Sequence, residues 1–360
     1  MIIASALLYA SVMAMSVLLG YYASETNKKF YIVFIILLLS VLSGLRGESV
    51  GLDTVSYNQM FDLLKKGESL QYYVIEDTFR FIAQILLKIF HHNNWLFFLF
   101  ALLSHGLIVF RFWDFRENSS FGIQIFCYYC GFYFFSLNVM RQFCAVAFVF
   151  FGTRFLPKGG YFKFLLFLLV GVLFHKSALL GLGYVFCDFF LWKHLKDNRK
   201  LFLCCSALVC VIGAFLALPI LEEYITRYWS TMHIDIGLML FAKLGFFVIT
   251  VILLNKKQRH LYKENASSID NYQLSALQIY YLIGILLTSL GYIFLYAERV
   301  GLYFFIFESV YMGMLVKNLN QKIFKIKIFD LGVILLASYT FLEALWGNGQ
   351  GQMPYRFFWQ

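Results

Sequence analysis

Gly44-Leu45-Arg46-Gly47-Glu48-Ser49-Val50-Gly51-Leu52-Asp53-Thr54-Val55-Ser56-Tyr57 decides how the rest of the chain is read. An apolar run over residues 30–45 ends directly on Arg46, and the segment then crowds an arginine, two carboxylates and three glycines together. A helix crosses the hydrocarbon of a bilayer on about 20 apolar residues, somewhat fewer where the bilayer thins. The segment is therefore the polar mouth of a transmembrane span. The question it poses is which other polar residues meet it on the same side of the membrane.

Outward from this mouth the chain is mostly membrane. Of its 360 residues 61% are hydrophobic, 20% aromatic and only 14% charged, far from the composition of a soluble domain. Residues 1–20 lack a basic leader and a small-residue cleavage site, so the first apolar run reads as a retained span. All seven cysteines lie inside apolar runs and behave as small hydrophobes, the Cys127/Cys130 pair included. The spacing predicts spans near residues 2–21, 30–45, 94–113, 121–137, 139–156, 161–175, 177–193, 201–220, 237–254, 275–296, 299–316 and 328–346. The expected fold is an all-α, polytopic bundle of about twelve spans in a single membrane domain over residues 1–360. Residues 79–90 are too short to cross easily and carry Arg80 and Lys88, which predicts an amphipathic helix in the interface, or a re-entrant segment, within an extracytoplasmic loop over residues 46–93.

Charge sets the orientation. A net charge of +10 comes from lysines and arginines in short loops between apolar runs, which excludes nucleic acid as the partner and follows the positive-inside pattern. Lys28 and Lys29, Arg111 and Arg116, Arg154 and Lys158, Lys256 and Lys257, and Lys317 and Lys322 then face the cytoplasm, and both termini lie outside.

With that orientation the unusual polar residues at span ends fall on the outer face: Arg46, Asp53, Tyr57, Glu76, Arg141, Gln142, His175, Lys176, Arg299, Tyr303 and Tyr355. A charged side chain at a membrane surface is costly, and several on one face suggest a shared site. Each also has a plainer role: Arg46 as a snorkelling anchor, Asp53 or Thr54 as a helix cap, His175 as an interfacial cap, Glu298 and Arg299 as a surface pair. Arg141 is the strongest candidate, because Asn138-Val-Met-Arg141-Gln142 interrupts a long apolar run at a turn that needs no arginine. Three separated arginines on one face match an anionic ligand, with diphosphate the natural one, since guanidinium forks bind phosphate oxygens bidentately. Walker, Rossmann, zincin and nucleophile-elbow motifs are absent from the sequence.

At these residues the chain resembles the EpsG-like branch of the Wzy-type polysaccharide polymerases. The resemblance rests on Arg46 through Tyr57, on Glu76 with Phe79, on Asn138 to Gln142 with Ala145, on Phe174-His175-x-Ser177, on Arg299 with Tyr303, and on Pro354-Tyr355. It implies a multi-pass enzyme of the bacterial inner membrane that joins polyprenyl-diphosphate-linked repeat units of an exopolysaccharide, capsule or O-antigen on the periplasmic or outer face. It carries a fold-level analogy to GT-C glycosyltransferases. The partners it implies are the lipid-linked saccharides, membrane lipid, and the chain-length regulator and flippase of the same pathway.

On this reading an acceptor hydroxyl attacks the donor's anomeric carbon while polyprenyl diphosphate leaves. Arg141 and Arg299, with Arg46 helping, hold the diphosphate, and Gln142 and Lys176 join them at the substrate. Asp53, Glu76 and His175 are the candidate bases, and Tyr57, Tyr303 and Tyr355 orient sugar or phosphate. No cofactor or metal is expected, because the arginines take the charge. Two other classes fit a cationic membrane pocket: a lipid-linked saccharide flippase, which would place charge near the midplane or on both sides, and a membrane acyltransferase, which would need a histidine on the cytosolic side.

Overall fold

In hydrocarbon every backbone N–H and C=O must bond within its own segment, so an apolar chain with few prolines folds as helices. The computed structural model describes residues 1–70, 73, 75–188, 238–263, 271–293, 297–319, 322–323 and 326–360. Its helices are α1 (Ile2–Thr26), α2 (Phe30–Gly44), α3 (Thr54–Lys66), α4 (Asp77–Ile89), α5 (Asn94–Asp114), α6 (Phe121–Asn138), α7 (Met140–Gly152), α8 (Tyr161–Phe174), the short α9 (Leu182–Phe186), α10 (Leu238–Lys263), α11 (Asn271–Thr288), α12 (Glu298–Phe305), α13 (Phe307–Asn318) and α14 (Ile328–Gly347). Extended pairing among the described residues is confined to Lys322–Ile323 with Ile326–Lys327 and to a single bridge between Arg46 and Phe357.

The all-α expectation holds. Among the described residues five helical stretches are long and apolar enough to cross a membrane: α1, α5, residues 239–258, residues 273–292 and α14, with a sixth if α12 and α13 form one broken span. This falls below the expected dozen. α2 and α8 are apolar but shorter, and residues 189–237, which carry the expected span 201–220, the end of 177–193 and the loop 221–236, lie outside the described residues. The expected span 299–316 is interrupted at Ile306, and α10 runs past the expected span end at 254 to Lys263. The helices expose Ile3 and Leu7 on α1, Phe34 on α2, Phe162 and Leu169 on α8, Phe241 and Ile252 on α10 and Leu335 on α14, apolar faces suited to lipid.

The loop 46–93 holds two helices rather than one. Beside the expected amphipathic segment, seen as α4, it contains α3, which stops at Gly67 in the left-handed conformation. α4 buries Phe79, Ala83 and Leu87 and exposes Phe81, Ile85 and Ile89, a second apolar stripe beside Arg80 and Lys88 that suits a helix lying in the interface.

The chain divides into two units. The first comprises Met1–Arg154, Lys163–Leu179 and Met312–Gln360. Here α2 packs on α5 so closely that a Cβ on Gly44 would stand 2.6 Å from Phe98, and α5 also packs on α7, α1 on α2 and α6, and α14 on α6. Side-chain contacts sort the connections of this unit to two ends of the bundle. At one end Asn94 holds the carbonyls of Gly44 and Arg46, Tyr9 donates to the Gln352 carbonyl, and the Lys176 amide donates to Glu76. At the other, Arg111 meets Thr153, Arg154 meets Asp114, and Lys317 donates to the Arg116 carbonyl. Within this unit Arg111, Arg154 and Lys317 thus lie at the Asp114 end of α5, and Arg46 at the Asn94 end.

The second unit comprises Phe155–Phe162 and Leu180–Tyr311. α11 packs against α12, with Gly301 against Thr288, and Tyr184 stacks on Phe304 and donates to the Tyr303 carbonyl. An ion pair, Lys243 Nζ to Glu308 at 3.3 Å, is mostly buried here, and Tyr281 donates to the same Glu308 oxygen at 3.1 Å. Neither charge stands out in the sequence, because each lies singly inside an apolar run.

Candidate functional site

α2 delivers Arg46 at its C-terminal end, and the chain then turns back toward the helix bundle through Gly47 and Gly51. Gly51 has φ +93°, where a side chain is strained, and a Cβ there would stand 2.8 Å from Thr54 Oγ1 and 2.9 Å from Asn138 Oδ1. This tight turn starts α3 beneath Arg46. The arginine is 2% exposed: Nε donates to Thr54 Oγ1 at 3.2 Å, Nη1 donates to the Ser43 carbonyl at 3.2 Å, and the guanidinium lies 4.3 Å from the centre of the Phe97 ring. Among the described residues Nη2 has no hydrogen-bond partner and no carboxylate pairs with Arg46. Burial pulls the guanidinium down to about 10, so it remains a cation at neutral pH.

Arg141 reaches the same end of the bundle by a different route. α6 stops at Asn138, Val139 alone links it to α7, and Arg141 emerges in the first turn of α7. Its Nη1 donates to Glu76 Oε2 at 2.6 Å, its guanidinium lies 5.8 Å from the centre of Phe79, and it also hydrogen-bonds the Tyr57 side chain. Tyr57 is raised by burial and lowered in part by Arg141. Its ring packs against Phe61, Phe79 and Phe97 with centroids 6.0, 6.5 and 6.4 Å away. One guanidinium therefore lies on Phe97, the other near Phe79, and Tyr57 stands between the two rings.

Glu76 also accepts the Lys176 amide at 3.2 Å, which brings the α8 C-terminus to the pair. His175 turns inward on itself there: its Nδ1 lies 2.6 Å from Ser177 Oγ and accepts the Ser177 amide at 3.3 Å.

The segment after α14 closes over the loop. The amides of Gly47, Gly51 and Leu52 donate to the carbonyls of Arg356, Gly351 and Gln350, and the buried Asn138 holds both Gln350, through Nδ2, and the Asp53 amide, through Oδ1. Such contacts across the length of the chain leave no periodic signal in the sequence.

The EpsG family model matches residues 29–357. The chain belongs to the EpsG family. Membership carries a polysaccharide polymerase-like, glycosyltransferase-type role at the level of the family. No curated protein and no solved structure matches the chain.

Of the candidate residues in this EpsG-family chain, Arg46, Asp53, Tyr57, Glu76, Arg141, Gln142, His175, Lys176 and Tyr355 all belong to the first unit, and the structure gathers Arg46, Tyr57, Glu76, Arg141 and Lys176 by direct or shared contacts. Asp53 caps α3, with its carbonyl accepting the Tyr57 amide, and lies near enough to help raise the Tyr57 phenol. Gln142 is buried beside Arg141. Tyr355 is buried with its hydroxyl donating to the Leu42 carbonyl at 2.8 Å, an anchor for the C-terminal segment. Arg299 and Tyr303 lie on α12 of the second unit, where Tyr303 is fully buried and Glu298 opens the helix. Sequence reasoning missed Ser43, Thr54 and Phe97 as neighbours of Arg46, since each is ordinary for a span end or cap. Among the described residues no three His, Cys, Asp or Glu side chains form a metal-holding group, and Cys127, Cys130, Cys144 and Cys187 are buried free thiols.

Proposed function

We propose that this chain is a polysaccharide polymerase that joins polyprenyl-diphosphate-linked oligosaccharide repeat units on the extracytoplasmic face of a bacterial inner membrane, with about twelve spans in one membrane domain. The observation that carries the reading is Arg46, a buried cation with no carboxylate among the described residues, beside a second arginine across an aromatic cluster. A buried unpaired charge costs several kcal/mol unless something compensates it. An anionic headgroup supplies that compensation when it binds, and two guanidinium groups suit a diphosphate.

In this reading the acceptor hydroxyl attacks the anomeric carbon of the donor, the bond from that carbon to the diphosphate oxygen breaks, and the electron pair leaves with the polyprenyl diphosphate. Arg46 and Arg141 hold the charge that develops on the leaving oxygen, the role expected to supply the largest electrostatic contribution. Glu76, held by Arg141 and the Lys176 amide, orients Arg141. Asp53, beside Tyr57, takes the proton of the attacking hydroxyl. Phe79, Phe97 and Tyr57 supply walls for sugar rings or the first prenyl unit.

The test is incubation of purified protein with a lipid-diphosphate-linked repeat unit, wild type beside Arg141→Ala, with products sized on a gel. A ladder from wild type alone supports both the reaction and the site. Ladders of equal length and yield from both proteins remove Arg141 from it. A single unlengthened product, with the lipid carried across vesicle membranes, replaces the polymerase with a flippase.

A further inference from the structure

Asn94 and Asp114 stand at the two ends of α5, about 30 Å apart at 1.5 Å per residue, so the helix links the Arg46 end of the first unit to the end bearing the basic loops. Along its second half runs a groove of about 470 Å³, within the range of ligand-sized pockets. Its floor is Leu102, Leu103, Gly106, Leu107 and Phe110, and Phe151 of α7 forms a wall. A Cβ on Gly106 would meet nothing within 4 Å, so the slot is open along the helix itself.

The far end of the groove changes character. Lys29, which caps α2, and Arg154, just past α7, line it together with Trp113 and Asp114. Asp114 is shared by two cations, Arg111 at 3.1 Å and Arg154 at 3.0 Å, so its one negative charge is more than matched. Lys29 is exposed and makes no ion pair among the described residues. Arg116, over the Trp113 ring at 4.6 Å and paired with the exposed Glu117, adds another guanidinium nearby. An apolar slot that ends in a net positive rim, at the level where the charged loops begin, matches a molecule with a hydrocarbon tail and an anionic head.

We propose that this groove seats one acyl chain of an anionic glycerophospholipid, drawn from the leaflet on the side of the basic loops, with its phosphate on Lys29 and Arg154. The inference needs only that the chain crosses a membrane and is independent of the polymerase reading. A zwitterionic lipid fills the slot equally well but gains less from the rim. A second copy of the chain brings no phosphate to it.

Native mass spectrometry of the full-length protein in mild detergent, titrated with phosphatidylglycerol or with phosphatidylcholine of the same acyl chains, tests this. Wild type should retain one phosphatidylglycerol at least about fivefold more strongly than phosphatidylcholine. Gly106→Phe, which places a ring in open space, should abolish that retention while the protein still elutes as a single species. Lys29→Glu, a change on an exposed side chain that leaves the fold intact, should bring phosphatidylglycerol down to the level of phosphatidylcholine. Equal retention of the two lipids by wild type overturns the proposal, as does unchanged selectivity in Lys29→Glu. So does a lipid-independent dimer that Gly106→Phe dissociates.

Discussion

Replacing Arg46 with methionine should leave the protein about as stable as before and nearly inactive. The side chain is 2% exposed and carries its charge without a carboxylate. What holds it are two hydrogen bonds, each at 3.2 Å, and a stacking contact with Phe97 at 4.3 Å. Charge-assisted hydrogen bonds contribute roughly 1.5–3 kcal/mol each, and these are long enough to sit at the low end. The cation–π contact adds about 1–2 kcal/mol. Against this total of about 4–5 kcal/mol stands a desolvation cost of several kcal/mol for a buried guanidinium. Methionine removes both sides of the balance and fills similar space against Phe97, at the expense of an unmet Ser43 carbonyl and a Thr54 hydroxyl that still donates to Val50. The net change should lie within about 2 kcal/mol, a Tm shift of no more than about 4 °C for a chain this large. Polymer formation should fall about a hundredfold or more, as when one preorganised charge-stabilising donor is lost. Thermal unfolding in detergent beside the gel-ladder assay reads both quantities. A drop of 10 °C or more with activity per folded molecule retained would refute the reasoning and make Arg46 an anchor of the fold.

Four further outcomes follow from the same geometry. Glu76→Gln should keep the Lys176 amide contact but loosen Arg141, raising KM for the lipid-linked donor more than it lowers kcat; an unchanged KM would show that Glu76 does not act through Arg141. Gly51→Ala should cost more than about 1 kcal/mol, since φ is +93° and the new Cβ collides with Thr54 and Asn138, and a stability equal to wild type on denaturant or thermal unfolding would count against the turn. Asn138→Ala strips the partners of the Asp53 amide and of Gln350 and should destabilise by about 1–3 kcal/mol, with hydrogen exchange rising in residues 46–53 before the rest of the first unit. Tyr57→Phe should preserve the ring packing and lose only the bond with Arg141, so activity should fall by about tenfold with little change in Tm.

The sequence was most legible where local chemistry is unusual. α4 stands out because charges interrupt a short apolar run, and the break at Val139 because Asn138 and Arg141 fall where hydrocarbon should continue. The sorting of Lys29, Arg116, Arg154 and Lys317 away from Arg46, Arg141 and Lys176 follows from charge alone. α3 was harder to read, because its polar outer face looks like any aqueous loop. The surroundings of Arg46 were not legible at all: Phe97 is one of 43 phenylalanines, and nothing local marks it as the one beneath a guanidinium. Tyr355 shows the converse, a polar residue at the right end of the bundle whose hydroxyl is spent on the Leu42 carbonyl.

The closure of residues 350–357 over the first polar loop fixes the order in which this protein can become competent. Tyr355 and Leu42 are 313 positions apart, yet the backbone of one segment completes the hydrogen bonding of the other. During synthesis Arg46 enters the membrane surface early and waits while the intervening helices are made and inserted. Only then does the Arg356 carbonyl arrive to accept the Gly47 amide. A chain released early, or one whose later helices fail to insert, therefore has the arginines but no fixed frame for them. The frame around Arg46 is in this way the last part of the first unit to close, and it closes only once residues 350–357 have been made.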